Sequence, residues 1–336
     1  VAATWCGGRK RLCHNRLRQK RLNLPRPVII VRLSECEDGL DALGRSDGAG
    51  VHILLTNDDG VYAPGLAAME RQLRRLGQVS VVAPATEQSG VGHAITYLHP
   101  LIVKEVYDGD HRWGWTVEGS PADCVRIAVS QLCPTRPDLV VSGINSGLNA
   151  GINVLYSGTV AAAIEGAFFG ITSVAVSLEY DEHARFDQAA RLACQLIEQL
   201  LAQKPSGPLL FNLNIPLAAL QGEPQVRAVA MDVAHYGEQF ERRVDPWGRP
   251  YYWATGEPPP RLGQQETDLT ALKQGFVAVT PLDYDMTKRA VLAQMQQWQF
   301  HLDPTEANAL SDCAGAAGGR PVVQSVWAKF KGPAPL

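Results

Sequence analysis

The stretch ILLTNDDG, from Ile53 to Gly60, constrains this chain more than any other. An apolar run that stops at Asn57, two adjacent carboxylates and a glycine reads as a parallel strand carrying oxygen donors to the edge of a sheet. Neighbouring carboxylates repel one another and lose water when buried, so a pair at a strand end is most easily accommodated by a bound cation. An Asp-Asp-Gly sequence also serves as a turn that merely ends a strand. Taken alone, the stretch leaves both readings open.

The residues that follow give it a setting. Pro64 stands where a first helical residue is tolerated, and Leu66, Met69, Leu73 and Leu76 form an apolar stripe that Gly77 closes. VSVVA then reads as a short strand stopping at Pro84, which completes a β-α-β unit with parallel strands. The polar, Gly-rich segment ATEQSGVGHAIT leaves the carboxyl end of that second strand, on the same edge as Asp58 and Asp59. LIVKEVYDGDHRWGWTVEG reads as a hairpin turning at Asp108-Gly109.

Further along, Ser120 is a candidate N-cap with Pro121 at the first helical position, and Val125, Ala128, Val129 and Leu132 form the buried stripe. DLVVSG is another buried strand, followed by the Gly- and Asn-dense run INSGLNAGINVLYSGT. A helix from Val160 to Phe169 ends at Gly170, ITSVAVSL is a strand, and an Ala-rich helix spans Ala189 to Leu201. PLLFNLNIP reads as the last strand of the main sheet. This alternation specifies an α/β fold, a Rossmann-like, doubly wound, mostly parallel sheet.

Beyond Pro216 the periodicity weakens, although QVRAVAMDV, PYYWAT and GFVAVTPL are β-like. We expect a smaller β-rich C-terminal extension there, with an arm that pairs with another subunit. The expected organisation is therefore a basic, disordered extension over 1–50, a catalytic core over 51–216, a subdomain and oligomerisation arm over 217–298, and a poorly ordered tail over 299–336. The first carboxylate in the chain is Glu35. That basic opening segment reads as a disordered extension or as translated sequence upstream of a native start near Val51, which intact-mass measurement would test, with an organelle-targeting segment as the lesser alternative.

Composition excludes several classes. With 336 residues, 46% of them apolar, the chain can build a large core. A formal net charge of -3 gives no overall basic field for nucleic acid. No apolar run approaches the roughly 20 residues needed to cross a bilayer. Neither a nucleic-acid nor a membrane partner is expected. The seven cysteines are scattered and lack a C-x-x-C pair, which fits reduced thiols in a cytoplasmic protein better than disulfides or a cysteine zinc site.

Three segments converge at the carboxyl edge of such a sheet, where open α/β folds place their ligands: NDDG, the QSG of the second loop, and SGINSG. Together they offer the carboxylates of Asp58 and Asp59, the Ser89 hydroxyl and the Asn145 carbonyl oxygen. An all-oxygen set suits Mg²⁺, Mn²⁺ or Ca²⁺, with positions left for water and a substrate oxygen. Ser157, Gly158 and Thr159 precede an Ala-rich helix, and a helix N-terminus is a ready anion site. Locally, Ser157 or Thr159 also reads as an N-cap, and Asn145 or Asn149 as a turn residue. Their arrival on one edge favours the site.

ILLTNDDG, the Ser89-Gly90 loop, GSPADC, VVSGINSG and VLYSGTVAAAIEG occur in the order found in the SurE family of metal-dependent 5'/3'-nucleotidases, which the chain resembles from Val51 to Trp298. The resemblance implies one divalent ion, Mg²⁺ or Mn²⁺, held by Asp58, Asp59, Ser89 and Asn145. It also implies removal of phosphate from nucleoside monophosphates, in some members from short polyphosphate, and a homodimer or homotetramer that exchanges its C-terminal extension. The expected substrate-binding residues are Asn57, Asn145, Asn149, Ser157, Gly158 and Thr159, with Asp58 or Asp59 orienting or deprotonating the attacking water. Two details depart from the commoner pattern: Ser120 stands where Thr is more usual, and His93 where a small polar residue is frequent. His93 is read as a loop residue, with a proton-donating role as the lesser alternative.

The rival readings are a phosphatase with an Asp nucleophile, a broad-specificity acid phosphatase or exopolyphosphatase, and a non-catalytic nucleotide-binding module. The first needs a D-x-D spacing that NDDG lacks.

Overall fold

Ile53, Leu54 and Leu55 are completely buried, so the strand that carries them is covered on both faces. This strand lies in the interior of the sheet. The computed structural model describes residues 29–30, 50–234, 239–255 and 265–300. The basic extension, apart from the backbone of Ile29–Ile30, and the tail beyond 300 lie outside the described residues, as do Cys6, Cys13, Cys36 and Cys313.

In chain order the strands are β1 (Ile29–Ile30), β2 (Val51–Thr56), β3 (Gly77–Pro84), β4 (Val103–Asp108), β5 (His111–Val117), β6 (Leu139–Ser146), β7 (Thr172–Leu178), β8 (Leu210–Ile215), β9 (Gln225–Ala228), β10 (Phe240–Val244), β11 (Pro250–Ala254) and β12 (Val277–Leu282). The helices are α1 (Pro64–Leu73), α2 (Pro121–Ile127), α3 (Gly158–Phe168), α4 (Phe186–Gln203), α5 (Asp268–Lys273) and α6 (Arg289–Met295). The main sheet runs β1-β9-β12-β8-β7-β6-β2-β3-β5-β4. From β5 to β8 its neighbours pair in parallel. The chain winds outward from β2 in one direction through β3, then crosses to β6 and winds outward in the other. The gap between the ends of β2 and β6 is thus the point where such sheets bind ligands.

Alternation along β2 assigns its faces. Ile53 and Leu55 pack with Leu66 and Met69 of α1 and Ile197 of α4, whereas Leu54 packs with Val82, Cys124 and Val125 on the α2 side. Each fully buried aliphatic side chain contributes about 1.5–3 kcal/mol. Local signals agree with this packing. Pro64 opens α1, and Ser120 caps α2 in a capping box with Asp123.

Two expectations are corrected. Asp108 pairs with His111, so Gly109 and Asp110 form the hairpin loop, one position later than expected. PLLFNLNIP is not the last strand of the sheet, because β12 adds antiparallel to β8 and β9 adds parallel to β12. β9 has only four residues, too few for alternation to mark its place. β10 and β11 form a separate antiparallel hairpin on which Phe240, Trp247, Tyr252 and Trp253 are exposed. Residues from Asp285 onward belong to a second compact unit, whose described part carries α6.

Candidate active site

β2 ends at Thr56, and the next two residues inside the molecule are Asn57 and Asp58. Asp58 is only 4% exposed. Its carboxylate Oδ1 accepts the Thr159 hydroxyl at 2.5 Å, and its backbone carbonyl accepts the Gln88 N–H at 2.8 Å. Thr159 lies in the first turn of α3, and its N–H also favours the charged carboxylate. The positive end of α3 therefore faces Asp58 directly. Gly158 makes this possible: a Cβ there would lie 2.9 Å from Asp58 Cβ and 3.0 Å from Oδ2.

Asp59 is half-buried and accepts the Ser146 N–H at 3.2 Å. Burial pushes its carboxyl up to about 6, and the Asp58 charge adds to the shift. Burial also raises Asp58, against the opposing effect of Thr159, and Glu87 raises both. Among the described residues no basic side chain acts to lower either one. The pair is short of positive charge.

The end of β6 approaches from the other side. Its register slips between Ser142 and Asn145, a bulge that re-aims the strand end. Gly143 adopts φ +139°, and a Cβ there would lie 2.3 Å from the Val176 carbonyl oxygen. The Asn145 Nδ2 donates to the Gly147 carbonyl at 2.7 Å, which leaves its Oδ1 as the acceptor. Ser89 lies exposed on the loop after β3, where its hydroxyl donates to Glu87 at 2.7 Å.

The remaining expected residues sit as follows. Asn57 donates Nδ2 to the Gly60 carbonyl at 2.9 Å, while its buried Oδ1 has no hydrogen-bond partner. Such an acceptor suits a water hydrogen or a cation in preference to a phosphoryl oxygen. Ser157 caps α3, its hydroxyl accepting the Val160 N–H at 3.1 Å. Asn149 is buried, with Nδ2 directed at Ser177 and Thr159. His93 is an exposed loop residue, as expected, but not a free one: Nε2 meets Glu165 at 2.7 Å and the ring stacks on Phe168.

Sequence reasoning passed over Glu87, Asp123 and Asp268. Glu87 was visible as a third carboxylate in ATEQSG. Asp123 is fully buried and accepts the Thr96 N–H with both oxygens, at 2.9 and 3.1 Å, so the α2 capping box also holds the far end of the Ser89 loop. Asp268 opens α5 and accepts the N–H groups of Gly151 at 2.8 Å and Asp232 at 2.9 Å. It thereby fixes the short 3-10 turn Gly151–Leu155 that precedes Ser157.

These residues form an all-oxygen edge at a sheet switch point, with two carboxylates lacking a cationic partner and the N-terminus of a helix beside them. Metal-assisted phosphate chemistry is what such an edge can support. Among the described residues no cluster of three or more His, Cys, Asp and Glu gathers around a point, so any cation here would draw on neutral oxygens as well.

A family model, Survival protein SurE, matches residues 53–242. The 5'-nucleotidase SurE of Rhodopirellula baltica is 56% identical over 252 residues, covering 74% of this chain and 99% of that protein. The 5'-nucleotidase SurE of Chlorobium phaeobacteroides is 42% identical, with 74% and 96% covered. The crystal structure of the SurE protein from Aquifex aeolicus aligns with a TM-score of 0.63 at 35% identity, covering 73% of this chain and 98% of that one. The chain belongs to the SurE family.

Proposed function

We propose that this chain is a metal-dependent 5'-nucleotidase that hydrolyses nucleoside 5'-monophosphates to nucleoside and phosphate. The observation that carries the reading is the pair of carboxylates at the end of β2, raised by burial, with Asp59 on the Ser146 N–H at the end of β6 and no basic side chain among the described residues to compensate them. The curated names of the relatives support the same activity.

The donor set fits a hard divalent ion, Mg²⁺ or Mn²⁺, held by Asp58, Asp59, Asn145 and Ser89. When bound, the ion supplies Lewis-acid polarisation of the phosphoryl group and lowers the pKa of a water. Ser89 serves as a ligand once its hydroxyl turns from Glu87. Asp59, the more exposed carboxylate, orients the attacking water. Ser157, Gly158 and Thr159 form the wall of the phosphate pocket, and the end of α3 favours negative charge there. We include 3'-monophosphates as a second substrate class for the same site.

We further assign the chain to a homodimer or homotetramer, supported by the exposed aromatic residues of the β10–β11 hairpin. A cytoplasmic location is the reading we favour. No helix among the described residues is long and apolar enough to cross a membrane.

The test is phosphate release from nucleoside 5'- and 3'-monophosphates, glycerol phosphate and polyphosphate, with Mg²⁺, Mn²⁺, Ca²⁺ or chelator. Release from 5'-monophosphates that requires a divalent ion is expected. Equilibrium binding of nucleotide with no release under any ion would overturn the enzyme reading in favour of a binding module.

A further inference from the structure

β8 contains two asparagines, Asn212 and Asn214, both fully buried. They are two residues apart on one strand and so project from the same face. Both reach Asn149: Asn212 Nδ2 donates to its carbonyl at 2.7 Å, Asn214 Nδ2 to the same carbonyl at 3.1 Å, and Asn214 Oδ1 accepts the Asn149 N–H at 2.8 Å. Ser177, directly opposite Asn214 on β7, accepts Asn149 Nδ2 at 2.9 Å. The Asn149 backbone and side chain are thus gripped from two neighbouring strands.

The contacts continue to the candidate site. Asn149 Nδ2 also faces Thr159 Oγ1 at 3.4 Å, and that hydroxyl donates to Asp58 Oδ1. A hydroxyl has one hydrogen, so accepting from Asn149 directs that hydrogen toward Asp58. β8 lies three strands away from β2 in the sheet. An unbroken set of polar contacts spans that distance.

Stability alone does not explain this cluster. Buried amides are costly unless satisfied, and apolar residues of similar shape at such positions are often near neutral. Asn212 Oδ1 is in fact buried with no hydrogen-bond partner among the described residues. A demand on geometry accounts for the asparagines better than a demand on packing.

We propose that Asn214, with Asn212 and Ser177, is a positioning residue for the catalytic edge, acting through Asn149 and Thr159 on the Asp58 carboxylate. This rests on the nucleotidase reading for its kinetic arm only. The residues act like the outer partners of a metal ligand, whose loss typically reduces metal affinity or activity about 10- to 100-fold.

The test uses the full chain, with Mn²⁺ alone as one probe and a nucleoside 5'-monophosphate as the other. Asn214→Ala is expected to weaken Mn²⁺ binding, measured by electron paramagnetic resonance of the free ion, and to lower kcat by about 10-fold or more with KM little changed. Leu201→Ala, in the core distant from this edge, lowers the melting temperature but leaves both readouts at wild-type values. In a Thr159→Val background the loss from Asn214→Ala should largely disappear. Ser177→Ala removes a single acceptor atom and repeats the effect at smaller size should Asn214→Ala not fold. Wild-type Mn²⁺ affinity in Asn214→Ala, or in Ser177→Ala where only that variant folds, overturns the proposal, as does an equal loss in the Thr159→Val background. A wild-type chain that binds Mn²⁺ but releases no phosphate defeats the nucleotidase reading instead, and the Mn²⁺ arm still decides this one.

Discussion

The Thr159 hydroxyl donates to the Asp58 carboxylate across 101 positions of sequence, joining the first turn of α3 to the end of β2. That contact brings the two halves of the candidate site together. It also explains how a carboxylate with no basic neighbour among the described residues can be kept 4% exposed: two donors from a helix end offset part of the cost of burial.

Removing the hydroxyl should therefore be felt at the chemistry. Thr159→Val, of nearly the same shape, should lower kcat about 10- to 100-fold, while Thr159→Ser retains most activity. Steady-state phosphate release on the two variants checks this. Equal activity in Thr159→Val and wild type would remove Asp58 from the working site.

Gly158→Ala should act by crowding. Its Cβ would lie 2.9 Å from Asp58 Cβ, so either Asp58 or α3 must shift. We expect a stability loss of about 1–3 kcal/mol in urea titrations and a larger proportional loss of turnover. A variant with full turnover would show that Asp58 tolerates displacement.

Asp58→Asn should abolish most activity and yet raise the melting temperature of chelator-treated protein. The substitution removes one of two adjacent charges that burial already disfavours. Differential scanning calorimetry with and without Mn²⁺ separates the effects: the ion should stabilise wild type and do little for the variant. A variant with wild-type turnover would refute the assignment of Asp58 as a ligand.

The pH dependence of metal-free stability follows from Asp59. Its folded value is about 6, above the ordinary 3.8, so the folded chain binds that proton more tightly than the unfolded chain. The contribution is complete below about pH 4 and is lost as pH rises through about 6. In chelator, Asp59→Asn should gain on wild type over that window, read as the difference in urea midpoints. Saturating Mn²⁺ at about pH 7 should close or reverse the gap, because the ion favours the ionised form. A midpoint difference constant from about pH 4 to 7 would contradict this account.

Much of the candidate edge was legible because its signals are local. Pro64, Ser120-Pro121 and Ser157 mark helix starts through their own backbone chemistry, and the apolar run that stops before Asn57 marks the end of β2, whereas β6 continues past VVSG to Ser146. Asn212 and Asn214 gave no such signal, since inside FNLNIP they read only as polar interruptions of a strand. Their meaning depends on Asn149, 63 and 65 positions away, which no local pattern reports. Ser89 illustrates the opposite case, a ligand implied by resemblance whose hydroxyl meets Glu87 in the folded chain. β9 and β12 were expected as strands of a separate extension, because which sheet a strand joins is set by partners distant in sequence.

Asp268 gives the part of the chain beyond Pro216 a different standing from an appendage. Its carboxylate is the acceptor for Gly151, six residues before Ser157, and for Asp232. The turn that leads into Ser157 is thus held by a residue of the C-terminal extension. A chain ended after β8 would leave that N–H without its Asp268 acceptor, so the geometry of the candidate edge is set in part by residues outside the core that carries it.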